Sequence, residues 1–152
     1  MRRTLHAPDI AVPPVPALTS GLVDGGIVHI TGQLAYDGEV GGIPAGLDAA
    51  GQTEVITRRI DALLAGEGLD ARDLIRVTIF VTQAADIAAV NAVYARWVGE
   101  PYPARSTIGV AFLALPDARV EIEGVARRRD RARPAEPGPV ARSRPAPPLS
   151  PA

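Results

Sequence analysis

Residues 101–126, PYPARSTIGVAFLALPDARVEIEGVA, decide the fold because they hold two short strands that carry charged side chains into apolar surroundings. Side chains alternate across a strand, so Arg105 and Thr107 are expected on one face of the first strand. On the second strand Glu121 is expected to point away from Ile122. The segment therefore predicts a strand that carries an arginine, followed by a strand that carries a carboxylate.

Further landmarks precede this segment in a fixed order. Residues 30–34 read ITGQL, residues 76–82 read RVTIFVT and residues 89–94 read AVNAVY, ahead of PARST, a Leu-Pro loop and VEIEGVA. In this order they resemble the Rid family, the reactive-intermediate deaminases also called YjgF-like or L-PSP proteins, over most of residues 15–126. The resemblance implies a chorismate-mutase-like (YjgF-like) α+β sandwich, with one mixed sheet, two helices packed on one face, and assembly as a homotrimer.

Two positions depart from the family pattern. Members with well-understood deaminase sites usually carry a tyrosine about where this chain has Leu18, and a cysteine often stands where it has Thr107. These differences concern the substrate more than the fold, and they leave open whether the deaminase activity is kept.

Hydrophobic periodicity predicts the same class of fold without the family. It indicates a strand over 26–32, a helix from an N-cap at Asp48 to about Glu67, a strand over 74–82 and a helix over 85–98. The expected buried positions are Ile56, Ile60, Leu63 and Leu64 on the first helix, and Ile75, Val77, Ile79 and Val81 on the strand that follows it. With the two C-terminal strands, this order is typical of an α+β sandwich.

Composition limits the kinds of site and compartment. A chain of 152 residues is one domain by default. Cysteine is absent, and His6 and His29 are isolated from each other, so neither a disulfide framework nor a transition-metal site is expected. No apolar run follows the N-terminal arginines, so we expect no signal peptide, no membrane span and a cytoplasmic location.

Charge divides the chain into an acidic body and a basic end. Residues 127–152 hold seven arginines and two acids, a net charge of +5, whereas residues 1–126 hold nine arginines and 15 acids, a net charge of −6. We expect residues 127–152 to be a disordered Arg/Pro/Ala-rich tail, residues 1–14 an N-terminal arm and residues 15–126 the Rid-like domain. An acidic body makes nucleic acid an unlikely partner.

Arg105 is the first candidate for chemistry. Its guanidinium is permanently charged and matches a carboxylate with two parallel hydrogen bonds, which suits the capture of a small carboxylic acid. An isolated arginine on a strand is more often a structural ion pair or a solvated side chain. The PARST context favours the first interpretation, since in the family this arginine holds the substrate carboxylate.

Glu121 is the complementary candidate, because burial between apolar neighbours would raise its pKa and let it activate water or protonate a leaving amine. Glu123 faces the same way, but the resemblance places the acid at the first Glu of VEIE. If the two strands paired as a hairpin, Arg105 and Glu121 would lie several residues apart along the ladder, beyond the reach of one small substrate. We therefore hypothesise a site shared between subunits.

Other polar residues are candidates for substrate binding. Thr31 could offer a hydroxyl, Gly32 could let the backbone approach a ligand, and Thr107 shares a face with Arg105. Asn91 borders the apolar stripe of its helix, where it is either a substrate contact or a satisfied interface amide. Ordinary strand-end chemistry is an equal alternative for Thr31.

Three functions from different classes follow from these residues. The first is cofactor-free hydrolysis of reactive enamines or imines of the 2-aminoacrylate type to 2-oxo acids and ammonia, with Arg105 and Glu121 as catalytic residues. The second is a non-catalytic trimer that binds a small carboxylate or a partner protein. The third is RNA cleavage, which the older family name suggests and the acidic body disfavours.

Overall fold

A computed structural model describes residues 1–128 as a six-stranded mixed sheet with two helices packed on one face. The strands are β1 (Arg3–Thr4), β2 (Gly21–Asp24), β3 (Ile27–Gln33), β4 (Leu74–Val81), β5 (Ala104–Gly109) and β6 (Val120–Arg127), and the helices are α1 (Ala49–Ala65) and α2 (Ile87–Trp97). The strand order is β1-β2-β3-β6-β4-β5, in which only β4 and β5 are parallel neighbours. The predicted α+β class, with its mixed sheet and two helices, is confirmed.

The hydrophobic core lies between the helices and the central strands. β6 supplies Val120 and Ile122, each 0% exposed. The helix α1 begins where predicted, because the Asp48 side chain accepts a hydrogen bond from the backbone N–H of Gly51 at 2.8 Å. The buried stripe of α1 is also confirmed, and it consists of Ile56, Ile60, Leu63 and Leu64.

The two strands of the C-terminal segment are not neighbours, so the hairpin considered above does not form. β4 lies between them, with Val77 opposite Arg105 on β5 and opposite Gly124 on β6. A parallel pair needs a crossover connection, and α2 provides it between β4 and β5. Because β5 runs parallel to β4, the chain has to return across the sheet between them, and α2 packs on the sheet as it does so.

Two local features differ from the prediction. Residues 21–24 form a strand because Gly25 and Gly26, both with positive φ, make a two-residue turn into β3. Ile75, predicted to be covered, is 48% exposed, since the pairing of β4 with β6 shifts between Leu74 and Arg76. Leu74 takes the buried position instead.

The N-terminal segment joins the sheet rather than hanging free of it. β1 pairs with β2, and Leu5 is part of the core. Arg3 forms an ion pair with Glu67, just beyond the end of α1. The predicted basic tail lies almost entirely outside the described residues. Within residues 1–128, neither helix is long and apolar enough to cross a bilayer.

Arg59 of α1 is a buried cation that connects three segments. It donates hydrogen bonds to the carbonyl oxygens of Ala11 at 2.6 Å and Tyr36 at 3.0 Å, and to Oε1 of Gln33 at 3.4 Å. Burial lowers the pKa of its guanidinium. Because these acceptors belong to the N-terminal segment and to the end of β3, Arg59 fixes both against α1.

We expect Arg59→Met to destabilise the fold by about 2–4 kcal/mol, because it leaves buried oxygen acceptors without donors. The exposed neighbour Arg58 provides the control, and Arg58→Met should change the free energy of unfolding by less than about 0.5 kcal/mol. Urea denaturation at one fixed protein concentration measures both. Equal midpoints for the two variants would show that Arg59 does not hold these segments.

Candidate active site

The six residues predicted to act on a substrate lie in two clusters on opposite faces of the sheet. The guanidinium cluster consists of Arg105, Asn91 and Thr107 on β5 and α2. The carboxylate cluster consists of Thr31, Gly32 and Glu121 on β3 and β6.

Strand register separates the two clusters. Arg105 pairs with Val77, which is 1% exposed beneath the helices, so Arg105 emerges on the helix-covered face at the edge of the sheet. Glu121 pairs with Phe80 and lies between two core residues of β6, so it points to the uncovered face. No small molecule can contact both side chains of one chain at once.

The Arg105 guanidinium is held in place by α2 without an acid. Its Nη1 donates to Oδ1 of Asn91 at 3.0 Å, and its Cζ lies 4.8 Å from the centre of the Tyr94 ring, a cation–π contact. Among residues 1–128 it forms no ion pair, and its side chain is exposed rather than enclosed as the sequence suggested. An exposed guanidinium with no acidic partner among these residues can bind an anionic ligand.

Two buried hydroxyl groups lie in this part of the molecule. Oγ1 of Thr107 and the hydroxyl of Tyr94 are both inaccessible to solvent and have no hydrogen-bond partner within the described residues. Buried polar atoms in folded proteins nearly always have a hydrogen-bond partner, so these two unpaired hydroxyl groups are unusual. Thr107 is on the same strand face as Arg105, but a ligand would reach its Oγ1 only after the side chains that cover it move.

Tyr94 is a residue whose role the sequence analysis missed. Its ring faces Arg105 and meets Trp97 edge-on at 5.9 Å. The indole N–H of Trp97 donates to Oδ1 of Asp61 on α1 at 2.8 Å. The spacing of Asn91 and Tyr94, which puts both on one helix face, is the signal that could have found this support.

Glu121 fits against the backbone of β3 because Gly32 has no side chain. A Cβ on Gly32 would lie 2.8 Å from the carboxyl carbon of Glu121 and nearer still to Oε1. Burial, and secondly the charge of Glu123, raise the pKa of the Glu121 carboxyl. Gly32 therefore makes room for the Glu121 carboxylate, whereas the approach of a ligand to its backbone stays a prediction.

The Glu121 side chain lines a cavity of about 220 Å³ beside the end of β3. Thr31 and Gly32 line it too, and Leu18 from the N-terminal segment forms part of its wall. Glu123 instead lines a separate, more polar groove with Thr31 and His29. Position thus distinguishes the two acids of VEIE, since only Glu121 lines the apolar cavity.

The two clusters differ in what they can do chemically. The guanidinium cluster can bind an anion and donate hydrogen bonds, and the carboxylate cluster can accept and release a proton at a pKa above the ordinary value for glutamate. In the described part of the chain, no three His, Asp or Glu side chains come close enough together to hold a metal ion.

Comparison with known proteins places this chain in a family. The sequence profile of the family Endoribonuclease L-PSP matches residues 6–128. A RutC family protein of Pyrococcus horikoshii is 34% identical over 113 residues, which cover 74% of this chain and 88% of that protein. The 2-iminobutanoate/2-iminopropanoate deaminase of Escherichia coli K12 is 34% identical over 108 residues, 69% of this chain and 82% of the enzyme.

A solved structure shows the same fold. The crystal structure of RidA from an Antarctic Psychrobacter superimposes with a TM-score of 0.72 at 30% identity, over 82% of this chain and 99% of its own. The chain therefore belongs to the Rid family of YjgF-like, L-PSP proteins.

Proposed function

We propose that the protein hydrolyses reactive imines and enamines of the 2-aminoacrylate type to 2-oxo acids and ammonia, without a cofactor. Relatives that are named deaminases of 2-imino acids support this reaction. Their substrates combine a carboxylate with a carbon–nitrogen double bond, and the two clusters offer one group suited to each. An enamine enters the same route once a proton is added to its terminal carbon.

The observation that carries the proposal is the unpaired Arg105 guanidinium. A structural arginine would be expected to meet an acid, but among residues 1–128 this one contacts only the Asn91 amide and the Tyr94 ring. In our proposal it binds the substrate carboxylate through two parallel hydrogen bonds, and Thr107 adds a third. Binding the carboxylate fixes the position of the imine carbon next to it.

Glu121 is proposed to move the protons. The carboxylate takes a proton from water as the oxygen adds to the carbon of the N-protonated imine, which gives a neutral carbinolamine. The carboxylic acid then gives that proton to nitrogen, and as the carbon–nitrogen bond breaks the carbinolamine hydroxyl passes its own proton back to the carboxylate, leaving the carbonyl and ammonia. A carboxyl with a raised pKa suits both steps, because its proton affinity is closer to that of the reacting groups near neutral pH.

The proposal requires a second copy of the chain. Arg105 and Glu121 emerge on opposite faces, so a complete site needs Arg105 from one subunit and Glu121 from the next. The closed homotrimer that the family resemblance implies would supply three such sites through one repeated, heterologous contact.

A non-catalytic carboxylate binder is the second candidate. It is favoured by the absence of a hydroxyl at Leu18, which lines the Glu121 cavity where the family pattern has a tyrosine. RNA cleavage ranks last, although the family profile carries the name endoribonuclease. Residues 1–128 hold 11 arginines and 15 acids, an excess of negative charge that repels a polyanion.

Arg105→Lys should lower kcat/KM for imine hydrolysis by about 100-fold or more, because an ammonium cannot reproduce the planar two-point grip. Ammonia release from imines generated in place by an amino-acid oxidase measures the rate. Arg58→Lys, an exposed substitution on α1, is the control and should retain full activity. Full turnover by Arg105→Lys would show that Arg105 does not bind the substrate carboxylate through two hydrogen bonds.

Mixing two inactive variants tests the shared site. Arg105→Ala and Glu121→Gln, mixed in equal amounts, unfolded and refolded together, should recover about a quarter of wild-type activity, because random assembly joins the two intact residues at one interface in four. Each variant refolded alone should stay inactive. An active monomer in sedimentation experiments, or no recovery despite confirmed mixed assembly, would contradict the shared site.

Gly32→Ala should lower activity at least tenfold or so by displacing the Glu121 carboxylate, since an error of about 1 Å in a reacting group can cost ~100-fold. The displaced atoms are the flexible end of a side chain, so stability should change by less than about 1 kcal/mol. Gly42→Ala is the control, because a Cβ there meets no atom within 4 Å. Equal activity of the two variants would exclude a close fit between Gly32 and Glu121.

A further inference from the structure

The cavity beside Glu121 is far larger than the carboxylate needs. Its volume is about 220 Å³, and most of its wall is apolar. The N-terminal segment contributes Val12, Val15 and Leu18, while Leu34 and Leu115 come from the ends of the sheet strands and their loops. A proton-transfer site alone would need space for one or two water molecules, each about 30 Å³.

The size of the cavity sets the size of its occupant. An apolar cavity of about 150 Å³ accepts benzene, a group of six carbons. The Glu121 cavity therefore has room for the isobutyl side chain of leucine or a ring of similar volume. The single methyl group of an alanine-derived imine would leave most of it unfilled.

The geometry of the reacting carbon determines which part of the substrate would enter the cavity beside Glu121. An imine carbon is planar and has three substituents: the carboxylate, the nitrogen and the side chain. In the proposed function, Arg105 of the neighbouring subunit binds the carboxylate and Glu121 protonates the nitrogen. The side chain is the remaining substituent, and the apolar cavity adjoins Glu121.

We propose that this cavity is the side-chain pocket, and that the protein prefers imines of amino acids with large apolar side chains over those with small ones. The inference rests on the proposed function. Burial of the added carbons removes apolar surface from water, which raises kcat/KM for the larger side chain.

Arg59 is the one cation on the cavity wall within the described residues. Three of its N–H groups already donate to the carbonyls of Ala11 and Tyr36 and to the Gln33 amide. A guanidinium has five N–H donors in all, so an acidic side chain could compete for the remaining two. The glutamate-derived imine is therefore a necessary third substrate in the test.

The test compares kcat/KM for imines made from leucine, alanine and glutamate by amino-acid oxidases of suitable specificity, with ammonia release as the readout. The leucine-derived imine should exceed the alanine-derived imine by about 10-fold or more. Leu18→Trp, which fills the cavity, should lower the leucine-to-alanine ratio at least about tenfold. Val40→Trp, at an exposed position outside the cavity, is the control and should leave the ratio unchanged.

Binding of the products gives a readout that does not depend on catalysis. In NMR titrations 4-methyl-2-oxopentanoate should bind more tightly than pyruvate, and Leu18→Trp should abolish the difference. If Leu18→Trp does not fold, Val15→Phe takes its place. Turnover of no imine, with the binding preference intact, would overturn the proposed reaction and support the pocket.

Other outcomes would overturn the pocket itself. Deamination of the alanine-derived imine as fast as the leucine-derived imine, with no response to Leu18→Trp, would exclude a side-chain role for the cavity. A preference for the glutamate-derived imine would replace the apolar assignment with an anion site at Arg59.

Discussion

The alternation of side chains across a β-sheet is the constraint on which the rest of this structure depends. Val77 and Phe80 on β4 belong to opposite faces, and through them the register fixes Arg105 on the helix side and Glu121 on the other. A shift of one residue in the pairing of either strand would move its charged side chain to the opposite face of the sheet. The same shift would also expose the core residues of that strand to solvent. The separation of the two clusters is therefore as strongly determined as the core.

The partial burial of Glu121 in the carboxylate cluster lowers the stability of the folded chain. The pKa of Glu121 is raised in the folded chain, so its ionised form is less favourable there than in the unfolded chain. This lowers stability at pH values above the raised pKa, and the effect vanishes once the pH falls below the ordinary value for glutamate. An apolar residue would avoid the effect, which is why a buried carboxylate here points to chemistry.

The guanidinium cluster depends on support from both helices. Asp61 on α1 holds Trp97, Trp97 packs on Tyr94, and the Tyr94 ring carries the Arg105 guanidinium. An exposed arginine normally samples many rotamers, and fixing it before a ligand arrives lowers the entropy lost on binding. The helix layer thus positions the guanidinium cluster, while β3 and the N-terminal segment surround the carboxylate cluster.

The sequence by itself determined the fold class, the stripe of α1, the Asp48 cap and the family, because periodicity and ordered motifs are local properties of the chain. It also identified Arg105 and Glu121 as candidates from their residue types and neighbours. It did not determine that β4 separates their strands, that Ile75 is displaced by a bulge, or that Gly32 makes room for Glu121. Those features arise from pairing and close approach between residues distant in sequence, and only the tertiary structure decides them.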